Sequence, residues 1–331
     1  MTMKTLHLKA RPAGLPTAEH FGVTEAEIPP PVAGTALVEN IYLSVDPYMR
    51  ELMDAGWEVG GPCDSGRAVG RVVASSEPSW PEGALVSHGG GWSTHAVLTA
   101  GQAGARVLRE HEGVPVSAYL SVLGGTGLTA YVGLTEILRL QPDESIFISA
   151  AAGAVGGTAG QIARLLGAGQ VIGSTGSAAK VKHVVGDLGF DHAVNYHDGP
   201  LADQLHAIAP EGVHTSLDGV GGDHLAAAIA VTREFGRIAW VGAISQYNDA
   251  ANPPAAPRNL YRVADYSITL TGYQVRHHLH LRDQAEALLV PNVQSGRLRI
   301  AETIVEGFDH VVDAFIGVLR GDNTGKMLVR L

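Results

Sequence analysis

The chain has 331 residues, of which 45% are hydrophobic and 17% charged, and its formal net charge is −10. This length favours two domains and allows a sizeable buried core. The acidic balance, without any basic run, argues against nucleic acid or an anionic membrane surface as a partner. No apolar run approaches the roughly 18 residues of a membrane span, so no membrane partner is expected either.

The cysteine content indicates the compartment. Cys63 is the only cysteine, which excludes a disulfide within one chain and indicates a reducing environment. The first residues, MTMKTLHLKARPAG, lack the apolar segment of a signal peptide and predict a strand instead. We therefore expect a cytoplasmic protein.

The pattern of apolar segments predicts two kinds of domain. Residues 1–120 alternate short apolar stretches with Gly and Pro, as a compact β domain does. From about residue 121, apolar strands alternate with helical stretches, which indicates a parallel sheet. The predicted elements are strands at 145–149, 170–174, 192–196, 214–220, 236–242 and 267–273, helices at 158–166, 178–188 and 224–232, and a PPAAP loop at 253–257.

These elements predict an α/β fold. A doubly wound parallel-sheet domain at 121–290 is inserted between the two parts of a β domain, at 1–120 and 291–331.

A dinucleotide-binding loop is the strongest local signal. The segment SIFISAAAGAVGGTAGQIARLLG runs from a buried strand through Ala151-x-Gly153-x-x-Gly156 into a helix. This is the Rossmann fingerprint with its first Gly replaced by Ala. Small residues let the backbone approach a pyrophosphate, and the helix N-terminus offers free N–H groups. An ordinary glycine-rich turn is the alternative, but five further strands follow, as a nucleotide-binding sheet requires.

The end of the second strand favours NADPH over NADH. NAD-specific proteins place an acid there to bind the ribose hydroxyl, whereas VIGSTGSAAKVKHV carries none. Thr175 and Ser177 offer hydroxyl groups instead, and Lys180 offers a cation that attracts a 2′-phosphate. The alternative for Lys180 is a solvated helix residue.

The sequence predicts no metal site. One cysteine cannot supply a structural zinc site of four cysteines. Ser44, two residues before Asp46, stands where a zinc-dependent dehydrogenase would be expected to carry a cysteine. The His cluster at 276–280 lacks ligand partners at helical spacing, so we expect an exposed loop there.

Motifs along nearly the whole chain resemble the prostaglandin reductase, or leukotriene hydroxydehydrogenase, branch of the medium-chain dehydrogenase/reductase superfamily. That branch includes alkenal double-bond reductases and curcumin-reductase-like proteins. The resemblance implies a GroES-like β domain, a Rossmann domain, a homodimer, and NADPH-dependent reduction of a carbon–carbon double bond beside a carbonyl. The motifs are LSVDPYMR (43–50), GLTAYVGL (127–134), AAAGAVGGTAGQIA (150–163), LGFDHAVNY (188–196), DGVGG (218–222), GRIAWVGAISQYN (236–248) and GDNTGK (321–326).

The resemblance also implies roles for individual residues. The loop residues Gly153, Ala154, Val155 and Gly156 are expected at the pyrophosphate. The implied contacts to the 2′-phosphate end are Ser177, Lys180 and Tyr196, to which the strand-end argument adds Thr175. Those near the nicotinamide are Gly242, Ala243, Ile244 and Ser245. Asn323 is expected to return from the C-terminal segment to the cofactor, and Tyr48 to line the substrate pocket. A turn role for Asn323 and a half-buried strand position for Tyr48 are the alternatives.

The proton donor is expected to be a tyrosine. The family commonly carries one at the position of Asp265, and Tyr266 is adjacent to it. We predict that Tyr48 and Tyr266 are catalytic, by donating a phenol O–H to the oxygen on which negative charge develops. The ribose hydroxyl of the cofactor is a further candidate. Asp265 is expected to point away or to pair with Arg262 or Arg258.

Two other functions are left open by the residues. One is NADP-dependent interconversion of an alcohol and a ketone, which the missing metal disfavours because no cation would stabilise an alkoxide. The other is an NADPH-binding protein without catalysis. The expected substrate is a small enone or enal.

Overall fold

The computed structural model describes residues 2–30, 32–63, 66–249, 251–252 and 255–331, and the chain divides into two compact units. Unit 1 comprises Met1–Leu120, Tyr247–Ala250 and Glu302–Leu331, and unit 2 comprises Ser121–Gln246 and Ala251–Ala301. The predicted PPAAP loop begins with Pro253 and Pro254, which lie outside the described residues. In the described ranges, no helix combines the length and apolar character needed to cross a membrane.

The first part of unit 1 consists mainly of short strands. Its elements are β1 (Thr2–Leu8), β2 (Phe21–Glu27), β3 (Thr35–Ser44), α1 (Met49–Ala55), β4 (Ala68–Ser75), β5 (Leu85–His88), β6 (His95–Thr99) and β7 (Arg106–Val107). Strand β1 pairs with β2 in an antiparallel ribbon, and β3 pairs antiparallel with both β4 and β6.

Unit 2 alternates strands and helices. Its elements are α2 (Gly125–Val132), β8 (Ser145–Ile148), α3 (Ala154–Leu165), β9 (Gln170–Thr175), α4 (Ala178–Gly186), β10 (His192–Asn195), α5 (Leu201–Ile208), β11 (Val213–Asp218), α6 (Gly222–Val231), β12 (Thr232–Trp240), α7 (Tyr261–Asp265), β13 (Thr269–Gly272) and α8 (Arg282–Gln294). The strands form one parallel sheet in the order β10-β9-β8-β11-β12-β13.

This strand order creates a switch point in the sheet. From β8 the chain first builds outward through β9 and β10, and then continues on the other side through β11, β12 and β13. Ligands of open parallel sheets bind at the carboxyl ends of the strands where the order reverses. The loops that follow β8 and β11 therefore border the crevice in which a nucleotide is expected.

After unit 2 the chain returns to the sheet of unit 1 through β14 (Glu302–Glu306), α9 (Val311–Arg320) and β15 (Lys326–Arg330). Strand β15 pairs antiparallel with β3, with Leu328 opposite Ser44. The larger sheet of unit 1 therefore combines strands from both ends of the chain, in the order β14-β15-β3-β4-β5-β7 with β6 on β3.

Each unit has its own core. In unit 1, the rings of Phe21, Trp57, Trp92 and Phe315 pack at tilted or edge-to-face angles, with centroids 5.3–6.2 Å apart. In unit 2, every residue of β8 is buried, because helices cover both faces of a parallel sheet.

The predicted fold class is confirmed: a β domain built from both chain ends accompanies a doubly wound parallel sheet of six strands. Helix α8 runs across residue 290, where the sequence predicted the end of the nucleotide-binding domain. The domain boundaries at residues 120 and 290, and the role given to each segment, therefore stay predictions.

Candidate functional site

The loop between β8 and α3 is shaped by close backbone contact. Gly153 is extended and precedes the first helical residue, Ala154. A Cβ atom on Gly156 would lie 2.5 Å from the carbonyl oxygen of Ala150, so only glycine lets the helix start this close to the loop. The first turn of α3, with Ala154 and Val155, has backbone N–H groups without acceptors inside the helix. Gly153, Ala154, Val155 and Gly156 thus form a cradle that fits a pyrophosphate.

A buried hydrogen bond joins the two strands of the switch point. Ser149, directly after β8, donates its hydroxyl to Oδ1 of Asp218 at the end of β11, at 2.6 Å. The Asp218 carboxylate also accepts the backbone N–H groups of Val220 and Gly221, and Ser149 Oγ accepts that of Gly219. Burial raises the pKa of Asp218, and these hydrogen bonds act in the opposite direction. The pair fixes the loop after β11.

The residues predicted near the nicotinamide lie on a neighbouring loop. Gly242 and Ala243 follow β12, and a short 3₁₀ turn covers Ile244–Gln246. Ser245 donates both its hydroxyl, at 2.7 Å, and its backbone N–H to the carbonyl of Val220, and Ile244 N–H donates to that of Gly219. The structure therefore brings Gly242, Ala243, Ile244 and Ser245 together with the loop that Asp218 holds.

The residues predicted at the 2′-phosphate surround the end of β9. Ser177 caps α4 by accepting the backbone N–H of Lys180, and the Thr175 hydroxyl donates to the carbonyl of Ser177. Tyr196, just after β10, lies over the turn: a Cβ on Gly176 would be 2.8 Å from its phenol oxygen. The absence of a side chain at Gly176 thus gives Tyr196 its place beside Ser177. The hydroxyl groups of this turn and the nearby lysine can donate hydrogen bonds to a phosphate.

Tyr48 belongs to unit 1. It lies in the turn between β3 and α1, directly before α1, and not within a strand, and its side chain is half-buried. Burial raises the pKa of the Tyr48 phenol, the nearby Asp46 carboxylate raises it further, and Arg67 lowers it. The phenol is therefore protonated throughout the physiological range, as a hydrogen-bond donor must be.

A buried ion pair holds the turn that carries Tyr48. Lys326 at the start of β15 is 2% exposed, and its ammonium group lies 3.2 Å from Asp46 Oδ1. It also donates to the carbonyls of Val45 and Met327, so each of its three protons has an acceptor. Ser44 donates to the other Asp46 oxygen at 2.5 Å. The C-terminal strand and the VDPY segment are thus joined by charge.

Asn323 also lies in unit 1, in the turn between α9 and β15. Its side-chain amide donates to the carbonyl of Gly325 at 2.7 Å. This contact corresponds to the turn role that the sequence left open. It uses the side-chain nitrogen of Asn323 and not the side-chain oxygen.

Tyr266 lies at the amino-terminal end of the parallel strands, whereas the crevice borders their carboxyl ends. It precedes β13, and its carbonyl accepts the N–H of Phe235 near the start of β12. The guanidinium of Arg262 stacks on its ring at 3.4 Å, and the ring packs in the apolar cluster of α6 and β12. Asp265 is exposed at the end of α7, and the Arg262 guanidinium stacks on Tyr266 instead of pairing with this carboxylate. The structure therefore does not bring Tyr266 to the loops of the crevice.

The His cluster is divided between two short 3₁₀ turns, Val275–His277 and Leu279–Leu281, and most of its side chains are exposed. Within the described part of the chain, no three His, Cys, Asp or Glu side chains are grouped so as to hold a metal ion.

Sequence reasoning missed the residues that support the predicted ones. Asp218 lies in the DGVGG motif, where the sequence analysis assigns it no role, although an acid at the end of a predicted parallel strand is a signal for a loop anchor. Lys326, in GDNTGK, gave no such signal, because a lysine at the start of a strand is normally solvated. Their partners, Ser149 and Asp46, are distant in sequence.

Two family models match the chain. One, described as the N-terminal domain of oxidoreductase, matches residues 4–105, and the other, described as zinc-binding dehydrogenase, matches residues 154–291. Together with the glycine loop at the switch point and the β unit built from both chain ends, they define a dinucleotide-dependent oxidoreductase of the medium-chain type.

Full-length relatives narrow this class. Prostaglandin reductase 1 of Bos taurus is 38% identical over 99% of this chain and 98% of its own length. A 2-alkenal reductase (NADP⁺-dependent) of Nicotiana tabacum is 33% identical over 91% and 88%. The crystal structure of CurA in complex with NADPH from Vibrio vulnificus is 32% identical over 99% and 98%, with a TM-score of 0.91. The chain belongs to the prostaglandin reductase branch of the medium-chain dehydrogenase/reductase superfamily, which confirms the resemblance inferred from its motifs.

The contact at Gly156 makes a direct prediction. Gly156→Ala places a methyl group 2.5 Å from the Ala150 carbonyl, so we expect a loss of about 1–3 kcal/mol in the free energy of unfolding, measured in urea. Gly186→Ala is the matched control, because nothing lies within 4 Å of its Cβ position. It should be neutral or stabilising by up to about 1 kcal/mol. Equal stability of the two variants would contradict the proposed close contact.

Proposed function

We propose that this protein uses NADPH to reduce the carbon–carbon double bond of an α,β-unsaturated ketone or aldehyde. The observation that carries the proposal is full-length similarity to reductases named for prostaglandins and 2-alkenals, combined with a nucleotide crevice whose second strand ends in hydroxyls and a lysine. Such a strand end favours a 2′-phosphate because no carboxylate is present there to repel it.

The chain's own residues hold the cofactor in this proposal. Backbone N–H groups of Ala154 and Val155 bind the pyrophosphate, as an anion is bound at other helix N-termini. Thr175, Ser177, Lys180 and Tyr196 bind the 2′-phosphate. The loop with Gly242, Ala243, Ile244 and Ser245 faces the nicotinamide, and its hydrogen bonds to Val220 keep it rigid. Asn323 contributes its side-chain oxygen from the C-terminal turn.

The residues then act on the substrate's carbonyl. When bound, the nicotinamide supplies a hydride to the β-carbon. Tyr48 donates its phenol O–H to the carbonyl oxygen, where negative charge develops. Its raised pKa keeps that proton in place, and the Asp46–Lys326 pair holds the turn from which it is presented. The α-carbon is protonated by tyrosine or water. The sequence also predicts Tyr266 as a donor to the carbonyl oxygen. Its position under the Arg262 guanidinium does not support that prediction.

The roles of the segments follow from this proposal. Residues 121–290 form the NADPH-binding domain, and residues 1–120 with 291–331 form the catalytic domain. Tyr48 and Asn323 lie in unit 1, and the pyrophosphate and 2′-phosphate residues lie in unit 2, which supports this division.

Cofactor choice tests the proposal first. Lys180→Ala should lower kcat/KM for NADPH by about 10–100-fold, because a charge-assisted hydrogen bond of roughly 1.5–3 kcal/mol is lost. With NADH, kcat/KM should be nearly unchanged. Lys182→Ala, at an exposed lysine on the same helix, is the matched control and should leave both values unchanged. Wild-type protein that uses NADH as well as NADPH would refute the assignment.

Tyr48→Phe tests the donor. Steady-state reduction of a 2-alkenal should show kcat lowered by about 10²–10³-fold, because one oxyanion donor is removed while the ring packing is kept. The Kd for NADPH, measured by fluorescence, should not change.

Tyr266→Phe is the comparison variant, and its kcat should stay within about twofold of wild type. A larger loss there than at Tyr48 would reverse the assignment. Cofactor binding without turnover of any enal or enone would instead support the non-catalytic alternative.

We also propose that the reaction is independent of zinc. Ser44 stands at the expected ligand position and donates to Asp46, and Lys326 already supplies a cation to that carboxylate. Chelator treatment should therefore leave kcat unchanged. Stoichiometric zinc in elemental analysis, with activity lost on its removal, would contradict this.

A homodimer is proposed through the edges of the parallel sheet. Strand β13 ends that sheet, and an edge strand offers unpaired backbone groups to a second copy. Sedimentation at micromolar concentration should show a dimer, and a purely monomeric protein would remove the claim.

A cytoplasmic location is proposed because a chain whose single cysteine is Cys63 cannot form a disulfide within itself, as is typical of proteins in reducing compartments. Cell fractionation would test it.

A further inference from the structure

A histidine lies directly behind the 2′-phosphate turn. His224 is in the first turn of α6, and its ring meets the Tyr196 ring edge-on, with centroids 4.8 Å apart and an interplanar angle of 78°. Tyr196 in turn lies over Gly176, so the phenol bridges the turn and the histidine. His197 packs on the Tyr196 ring at 4.3 Å. Three rings thus converge beside Gly176, which directly precedes Ser177.

The Nε2 atom of His224 is buried and has no hydrogen-bond partner among the described residues. A buried polar atom without a partner is costly and therefore calls for a functional explanation. Such groups are commonly found where a bound molecule or a water supplies the missing hydrogen bond. Because the His224 ring packs on Tyr196, which lies over Gly176, the phosphate turn is the binding site that is nearest along these contacts.

The charges around His224 come from several elements. Burial lowers the pKa of His224, Asp218 at the end of β11 and Asp223 on α6 raise it, and His197 after β10 lowers it. On the packed neighbour α5, Asp203 and His206 are exposed. Arg262 of α7 is engaged further along α6, at the carbonyl of Ile229. Burial and His197 thus oppose protonation of the His224 imidazole, and the two carboxylates favour it.

We infer that His224 is a positioning residue of the 2′-phosphate site, which holds Tyr196 over Gly176 with its ring and takes up a proton when a phosphate binds there. The inference rests on the proposed use of NADPH. A phosphate carries a charge of about −1.5 to −2 near neutral pH. Such an anion near a neutral imidazole favours the imidazolium form. Affinity for a 2′-phosphate should consequently rise as the pH falls towards that of imidazole titration.

The experiment measures binding of adenosine 2′,5′-bisphosphate and of 5′-AMP by calorimetry at pH 6.5 and pH 8.0. Two buffers of different ionisation enthalpy are used, so that proton uptake is measured directly. The proteins are wild type, His224→Phe and His224→Ala, with His206→Phe as a matched control at an exposed histidine of α5. The phosphate's own titration is the same for every variant, so differences between proteins report on the histidine.

In the wild type, lowering the pH should improve the Kd for the bisphosphate about 3–10-fold relative to His224→Phe, which corresponds to a pKa shift of up to about one unit. Proton uptake should accompany binding. His224→Phe keeps the ring, so it should bind nearly as well at pH 8.0, without the added uptake. His224→Ala should weaken the bisphosphate about tenfold at both pH values and leave 5′-AMP unchanged. His206→Phe should behave as wild type.

The failures are distinguishable. If His224→Phe keeps the wild-type pH dependence and proton uptake, the inference is wrong, whether or not His224→Ala folds. If His224→Ala folds and binds the bisphosphate like wild type, the positioning role is wrong. If wild-type protein binds the bisphosphate no better than 5′-AMP at either pH, the proposed 2′-phosphate site itself fails, and the inference fails with it.

Discussion

The hydrogen bond between Ser149 and Asp218 is the contact on which the nucleotide crevice depends. It joins the carboxyl ends of β8 and β11, which are adjacent in the sheet but separated by about seventy residues of chain. Asp218 is fully buried, so its charge can be kept only by complete hydrogen bonding. Satisfying that carboxylate closes the turn at Val220 and Gly221, and Val220 then anchors Ser245. One buried acid thereby organises two loops.

Unit 1 uses the same physical device with an ion pair. Asp46 is held by Ser44 and Lys326, and the turn they stabilise leads directly to Tyr48. A buried pair of this kind is strongly destabilising to break, because either partner alone would be an uncompensated charge. In each unit, a carboxylate with at least one partner from a distant part of the chain therefore holds a turn. Rigid placement of this kind is what orientation of a hydride and a carbonyl requires.

The agreement between prediction and structure varies with the range of the contacts involved. The parallel strands and the strand–turn–helix arrangement around Gly153 depend on local patterns, and the structure confirms them, with strand ends displaced by up to four residues. The predicted roles of Tyr48 and Tyr266 as hydrogen-bond donors depend on where the folded chain places each side chain. Counting along the chain puts the family tyrosine at Asp265, with Tyr266 one residue further on. Tyr266 lies before β13, at the amino-terminal end of the strands and away from the loops of the crevice. The spacing of residues along the chain does not show at which end of the strands a residue lies.

The sequence by itself determined the class of fold and the choice of NADPH, because strand periodicity and the missing acid after β9 are local properties. The small residues at Gly153 and Gly156 also predict a pyrophosphate loop. Only the tertiary structure decided which polar residues meet. Asp218, Lys326 and His224 have their partners on other elements, namely Ser149, Asp46 and Tyr196. Burial and long-range pairing arise only when the chain is folded, so no local pattern encodes them.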